Sequence, residues 1–227
     1  MKSITCAALL LGAASLAAAQ IDSVKIAERV FNDDPGTVLV TTNTYPSLIR
    51  FNETGLDGDG VAPEFANRHV FMFSGDSGAS NLIFSNDTFF DISMDVTLDG
   101  LAGSVKEAGF LLQTAGGDGQ FILKTNGEIA AFGGPLPFHQ FTPNGYVPGT
   151  TIRLGMRYFM EAGVRKITYT AGADSFTDTF SNLEQGIIDG TTVGGYAQFP
   201  IIDGNANNFG DAQFANFQAS AVPEPSA

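Results

Sequence analysis

The chain has no tryptophan, one cysteine, two histidines and 11 basic residues against 24 acidic ones. Each shortage closes off some chemistry. The formal net charge of −13 leaves no basic footprint for nucleic acid or for an anionic membrane surface, so neither is expected as a partner. The single cysteine, Cys6, lies in the N-terminal leader described below, and the remainder of the chain therefore has no disulfide, thiol nucleophile or thiolate metal ligand. Beyond that leader no apolar run is long enough to span a bilayer, so no membrane insertion is expected of the chain as given. Without tryptophan, stacking against a sugar face falls to tyrosine and phenylalanine.

What is present favours short strands and tight turns. The chain has 227 residues, among them 27 glycines and 20 phenylalanines. Glycine supplies the positive φ that turns require, and the length suits one well-buried domain. The first residues, MKSITCAALLLGAASLAAAQ, carry one lysine, an apolar stretch and small residues that fit an A-x-A cleavage site. The expected organisation is a signal peptide over 1–19, one β-sandwich domain over 20–221 and a short tail over 222–227. Such a protein is exported, either secreted or held at the cell surface.

The most informative stretch is 150–171, where two alternating runs flank Glu161-Ala162-Gly163 and predict a β-hairpin. Ile152, Leu154, Met156, Tyr158 and Met160 fall on one face, with Thr151, Arg153, Gly155 and Arg157 on the other. One face therefore needs a second layer over it and the other faces water, as in an antiparallel sheet. Runs at 37–42, 48–52, 69–73, 81–85, 89–98, 109–114, 120–125, 128–132, 175–180, 192–199 and 212–219 read as further strands. The run 21–30 fits a short helix or a strand equally well. Four prolines in 133–149 make that stretch a long loop carrying Phe138, His139, Phe141 and Tyr146.

About a dozen short strands, termini able to meet as neighbouring strands, Asn126-Gly127-Glu128-Ile129 before an apolar strand, and Gly210-Asp211-Ala212-Gln213-Phe214 leading into the last one resemble the concanavalin A-like lectin and glucanase domains, including the laminin G-like ones. The resemblance implies an all-β, two-sheet antiparallel jelly-roll β-sandwich. Val222-Pro223-Glu224-Pro225-Ser226 resembles the start of the bacterial PEP-CTERM sorting signal. In that family an apolar helix and a basic cluster follow the motif, which implies surface sorting.

Familiar catalytic spellings do not carry through. Gly75-Asp76-Ser77-Gly78 is spelled like the nucleophile turn of trypsin-like proteases, but neither His69 nor His139 has the flanking pattern of a base, and no G-x-S-x-G elbow occurs. The stretch reads as a turn, and His69, in an apolar strand, as a core or edge histidine. Jelly-roll glycosidases typically place paired carboxylates on one strand. Here the nearest match, Asp91 and Asp95, starts roughly 13 Å apart, too far for a retaining pair at about 5 Å.

Two binding readings remain. Asn32, Asp33 and Asp34 near the start, with Asp203, Asn205, Asn207, Asn208 and Asp211 near the end, would converge on Ca²⁺ if the first and last strands were neighbours. The same residues are also ordinary turn formers. Phe138, His139, Phe141, Tyr146 and Tyr158, with Arg153 and Arg157, form the expected ligand-binding set for an extracellular polysaccharide; Arg153, Arg157 and Lys166 suit uronate or sulfate groups. The Phe-rich loop reads equally as a lid folded back on the core. The sequence reading settles on a secreted, non-catalytic β-sandwich that binds polysaccharide or associates with matrix. Its alternatives are a structural surface or biofilm protein without a ligand site, and a divergent glycoside hydrolase or lyase on the same fold.

Overall fold

A computed structural model of the chain describes residues 20–61, 64–141, 145–180 and 186–223, with side chains described up to Ser220. The expected signal peptide and most of the V-P-E-P-S tail lie outside the described residues. Those residues contain no helix, and hence none that is long and apolar enough to cross a membrane.

Among the described residues, fifteen strands form two antiparallel sheets. They are β1 (Ser23–Asn32), β2 (Val38–Asn43), β3 (Leu48–Thr54), β4 (Ala66–Ser74), β5 (Ile83–Phe84), β6 (Thr88–Gly100), β7 (Glu107–Gln113), β8 (Gly119–Lys124), β9 (Ile129–Phe132), β10 (His139–Gln140), β11 (Thr151–Glu161), β12 (Val164–Ala171), β13 (Asp174–Thr179), β14 (Thr191–Pro200) and β15 (Phe209–Pro223). The first sheet runs β1-β4-β14-β7-β8-β9-β10, with β5 also on β14. The second runs β13-β12-β11-β6-β15-β3-β2. The expected all-β two-sheet sandwich is what the chain forms.

The hairpin at 150–171 forms as β11 and β12, with Leu154 opposite Ala171 and Glu161 opposite Val164. Its turn needs two left-handed residues, and Ala162 (φ 51°) and Gly163 (φ 76°) supply them. Leu154, Met156 and Tyr158 point inward and are buried, as the alternation requires. The hairpin lies toward one side of the second sheet, whose middle strand is β6. The ambiguous run 21–30 becomes β1, because pairing with β4 satisfies its backbone and buries Val24.

One topological expectation fails. The first and last strands are not neighbours: β1 pairs β4 in the first sheet, while β15 lies between β3 and β6 in the second. A long terminal strand that turns Ala212 and Phe214 inward is best satisfied in the sheet interior. The bulged β1 occupies an edge.

Rings from both sheets fill the core, among them Phe51 and Phe214 from the second and Phe71, Phe73 and Phe110 from the first. One polar bridge crosses it. The backbone N–H of Arg29 donates to His69 Nδ1 (3.2 Å), which leaves His69 Nε2 to donate to Glu53 Oε2 (2.8 Å). Glu53 Oε1 also accepts from Thr37 and from Asn67 (2.9 Å). Burial pushes the Glu53 carboxyl up, but its hydrogen bonds, led by His69, win and hold it below its usual range. Glu53 and His69 are fully buried, so this histidine is a core residue, as read from its strand, and is closed to substrate.

Candidate functional site

In the first sheet, alternation sends Phe71, Phe73, Phe110, Phe121 and Phe199 into the core and their strand neighbours outward. The outward side chains form two rows. Gln198 on β14 stands opposite Arg68 on β4 and Glu107 on β7, and Glu107 stands opposite Lys124 on β8. One step along the strands, Tyr196 stands between Val70 and Gly109, and Gly109 stands opposite Ile122. A Cβ at Gly109 would come 2.3 Å from the Phe121 carbonyl oxygen on β8, so only glycine fits at this position. Val70, Met72, Leu111, Ile122 and Tyr196 make a second buried apolar cluster on this outer face.

Arg68 meets Asp118, in the turn between β7 and β8, at 3.3 Å, its long side chain reaching over the two intervening strands β14 and β7.

Six ionisable groups meet on this face, Arg68 and Asp118 among them. The Tyr196 hydroxyl donates to Glu107 Oε2 (3.0 Å), and the Arg68 guanidinium lies over the Tyr196 ring, 4.8 Å from its centroid. Lys124 reaches Glu107 at 3.6 Å and Glu128 at 3.1 Å. Burial first, then the Glu107 carboxylate, push the Tyr196 phenol well above its ordinary range, so it holds its proton through neutral pH. Arg68 Nε is buried and has no acceptor among the described residues, which leaves an unused donor at a charged, partly exposed side chain. A cation with a spare donor beside a protonated phenol that is hydrogen-bonded to a carboxylate can neutralise an anionic group and exchange a proton next to it.

The structure does not gather the expected ligand-binding residues into one surface. Tyr146 is buried: its hydroxyl accepts from the Leu98 N–H (2.7 Å) and lies 2.8 Å from the Thr150 carbonyl oxygen, and burial pushes the phenol up to about 12. Tyr158 is buried too, with its hydroxyl on the Asn86 carbonyl oxygen (2.7 Å). Phe141 packs on the core beside Phe121, whereas Phe138 stands 70 % exposed. His139 stacks flat on Phe176, ring centroids 3.7 Å apart, and bridges the edges of the two sheets. Arg153 and Arg157 lie apart from these on the outer face of the second sheet, beside a trough of about 420 Å³ over Gly155. Arg153 is held by Asp95 (2.8 Å) and Ser93, and Arg157 lies over the Phe159 ring.

The expected calcium ligands also separate. Asp33 Oδ2 accepts from the Phe65 N–H and Asp34 Oδ2 from the Gly58 N–H, so both carboxylates cap loop backbone. Asn32 accepts from Arg29. The loop of Asp203 and Asn205 lies at the same end, through the Gly204 N–H bonded to the Asp57 carbonyl oxygen, but Asp211 forms a two-pronged ion pair with Arg50 on the second sheet. No group of three or more His, Cys, Asp or Glu converges among the described residues. The charge at this loop junction is the buried Lys106 ammonium, held by the Leu101 carbonyl oxygen, Ser104 and Asn208 Oδ1, with burial pushing its pKa down to about 8.

No protein-family model matches the sequence, and no curated protein matches it. Solved structures do match in fold. The alginate lyase from Corynebacterium sp. superposes with a TM-score of 0.59 at 13% identity, covering 88% of this chain and 94% of that one. An alginate lyase of Pseudomonas aeruginosa gives 0.55 at 11% identity, covering 80% and 86%. The family 7 alginate lyase A1-II′, in complex with substrate, gives 0.53 at 12% identity, covering 82% and 83%. The chain is similar to these jelly-roll enzymes over nearly their whole length. This likeness goes against the expectation of a non-catalytic module, since the solved structures that share the sandwich are named as alginate lyases.

Proposed function

We propose that the protein is a polysaccharide-degrading enzyme that cleaves an acidic, uronate-containing glycan by β-elimination on the outer face of the first sheet. The observation that carries this reading is the convergence of Arg68, Tyr196, Glu107 and Lys124 on that face of a fold shared with alginate lyases. Elimination at a uronate needs three things: neutralisation of the carboxylate so that C5 becomes acidic, a base for the C5 proton, and an acid for the departing O4.

Arg68 supplies the first, through its partly exposed guanidinium side chain. Glu107 is the carboxylate placed to accept the C5 proton, with Lys124 balancing its charge. Glu107 then gives that proton to O4 as the C4–O4 bond breaks and the C4=C5 double bond forms, which restores the carboxylate. Tyr196, fully buried and protonated at neutral pH, holds that carboxylate in place through their 3.0 Å hydrogen bond.

The leader-like N-terminus and the V-P-E-P-S stretch support work at the cell exterior, which fractionation of an expressing culture tests. Structural Ca²⁺ enters only through the loops at Asp33, Asp34, Asp203 and Asn205, and a melting temperature lowered by EDTA would support it. The activity itself is tested by incubating the protein with alginate and with a neutral glucan and following the ultraviolet absorbance of the unsaturated uronate end. Absorbance that grows with alginate alone is the expected result. If neither alginate nor other polyuronates yield unsaturated product, the proposal fails.

A further inference from the structure

The outer face of the first sheet continues past the charged cluster. Leu111 stands opposite Gln120 and Gln120 opposite Phe132, while Ile122 stands opposite Ala130 and Ala130 opposite Gln140. Residues opposite one another in a ladder share a face, so Gln120, Phe132 and Gln140 lie on the same side as Leu111, Ile122 and Tyr196. Phe132 packs against that buried apolar cluster and stays partly exposed. The Lys124 ammonium lies over its ring, 5.6 Å from the centroid. One group therefore joins the two regions, because the same ammonium meets Glu107 at 3.6 Å.

The amides beside the ring are free. Gln120 is partly exposed and Gln140 exposed, and neither side chain makes a hydrogen bond among the described residues. On the outer face of the second sheet, by contrast, Gln213 donates to Asp211 (3.4 Å) and Gln218 accepts from Ser93 (3.5 Å). Exposed amides alone mean only solvation; these two stand beside a ring with a cation over it. A ring offers the apolar face of a sugar a flat contact, amides both donate to and accept from hydroxyls, and an ammonium neutralises a carboxylate.

We infer that Phe132, Gln120 and Gln140 form a subsite for a sugar residue beyond the one cleaved, with Lys124 facing its carboxylate, so that a polyuronate lies across the strands from β4 toward β10. The inference rests on the elimination reading of this face. Strand order gives the direction: Arg68 on β4, Tyr196 on β14, Glu107 on β7, Lys124 on β8 and Phe132 on β9 come from successive neighbours. From β7 to β9 is two strand steps, about 10 Å. That is longer than one sugar ring, so the residue held at Phe132 is a further one along the chain.

Isothermal titration of the full chain carrying Tyr196→Phe, to slow cleavage, with an alginate hexamer tests this. Adding Phe132→Leu, which keeps apolar packing and removes the ring, should weaken binding about tenfold or more, and Gln140→Ala about threefold. Gln213→Ala, on the second sheet, should leave binding within about twofold. In the otherwise wild-type chain Phe132→Leu should raise KM for alginate about tenfold and leave kcat within about twofold. Gln140→Ala, at an exposed position, carries the test alone if circular dichroism shows Phe132→Leu misfolded. A parent that does not bind the hexamer, binding unchanged by the folded variants, or equal weakening by Gln213→Ala would overturn the inference. Failure of the elimination reading looks different: hexamer bound through Phe132 with no unsaturated product from the wild type would remove the reaction and keep the binding site.

Discussion

The two outer faces of the sandwich spend their polar groups differently. On the second sheet the charges pair between adjacent strands: Arg50 with Asp211, Arg153 with Asp95, and Arg157 near Asp91 at 4.0 Å. Its hydroxyls pair too, Thr97 with Thr151 and Thr168 with Thr177. Every one of these contacts is made by residues directly opposite in register or nearly so. Such a face is solvated and self-satisfied. On the first sheet Tyr196 is buried on the outside of the sandwich, Arg68 reaches over two strands to Asp118, and a guanidinium N–H is left over. Strand pairing alone does not produce that pattern. The difference locates the built site by its surplus rather than by its charge, since both faces carry arginines and carboxylates.

Removing the phenol should separate the faces most sharply. Tyr196→Phe keeps the ring under Arg68 and deletes only the hydrogen bond that positions Glu107, so the rate of unsaturated-uronate formation should fall by about a hundredfold. Stability should fall by only about 1 kcal/mol, the usual net value of one hydrogen bond. Calorimetry beside the absorbance assay checks both; a variant that keeps its rate would remove Tyr196 from the chemistry. Arg68→Met should act next most strongly. It removes the partner for a uronate carboxylate and frees Asp118, so KM for a polyuronate should rise about tenfold or more along with a loss in kcat. The matching change on the other face, Arg157→Met, should leave both constants within about twofold. Equal losses from the two arginines would erase the distinction between the faces.

How much of this was legible in the sequence depended on how local each signal was. The hairpin at β11 and β12 could be read from alternation and a Gly-containing turn, because both act over a few residues. β1 could not, since IDSVKIAERV satisfies two periods and only its ladder with β4 decides. The supposed adjacency of the first and last strands failed for the same reason, because partner choice among fifteen strands is not encoded in any one of them. The charged outer face of the first sheet was not legible as a site: Arg68, Glu107, Lys124 and Tyr196 come from four strands, and no local pattern joins them. Tyr146 and Tyr158 misled in the opposite direction. An aromatic with a hydroxyl suits a sugar site, but it also suits a core position where carbonyls wait for the hydroxyl, and both found such carbonyls.

The smallest effect concerns the satisfied face and the sign of a pH dependence. Asp95 is pushed up by burial, but hydrogen bonds from Asn216 and Arg153 outweigh that and hold its carboxyl below the usual carboxylate range. A carboxyl whose pKa is lower in the folded than in the unfolded chain binds fewer protons when folded, so it adds stability above its unfolded value, near 4. That stability disappears as the pH falls through the folded value. Asp95→Asn should therefore cost a few tenths to about 1 kcal/mol at neutral pH, because the pair with Arg153 is partly exposed. The cost should vanish in acid, so that wild-type and variant unfolding curves converge below about pH 3. Catalytic rates on a polyuronate should not move at either pH relative to wild type. A variant that lost activity while keeping its stability would put substrate on the second sheet after all, and the self-paired face would have to be read as a site.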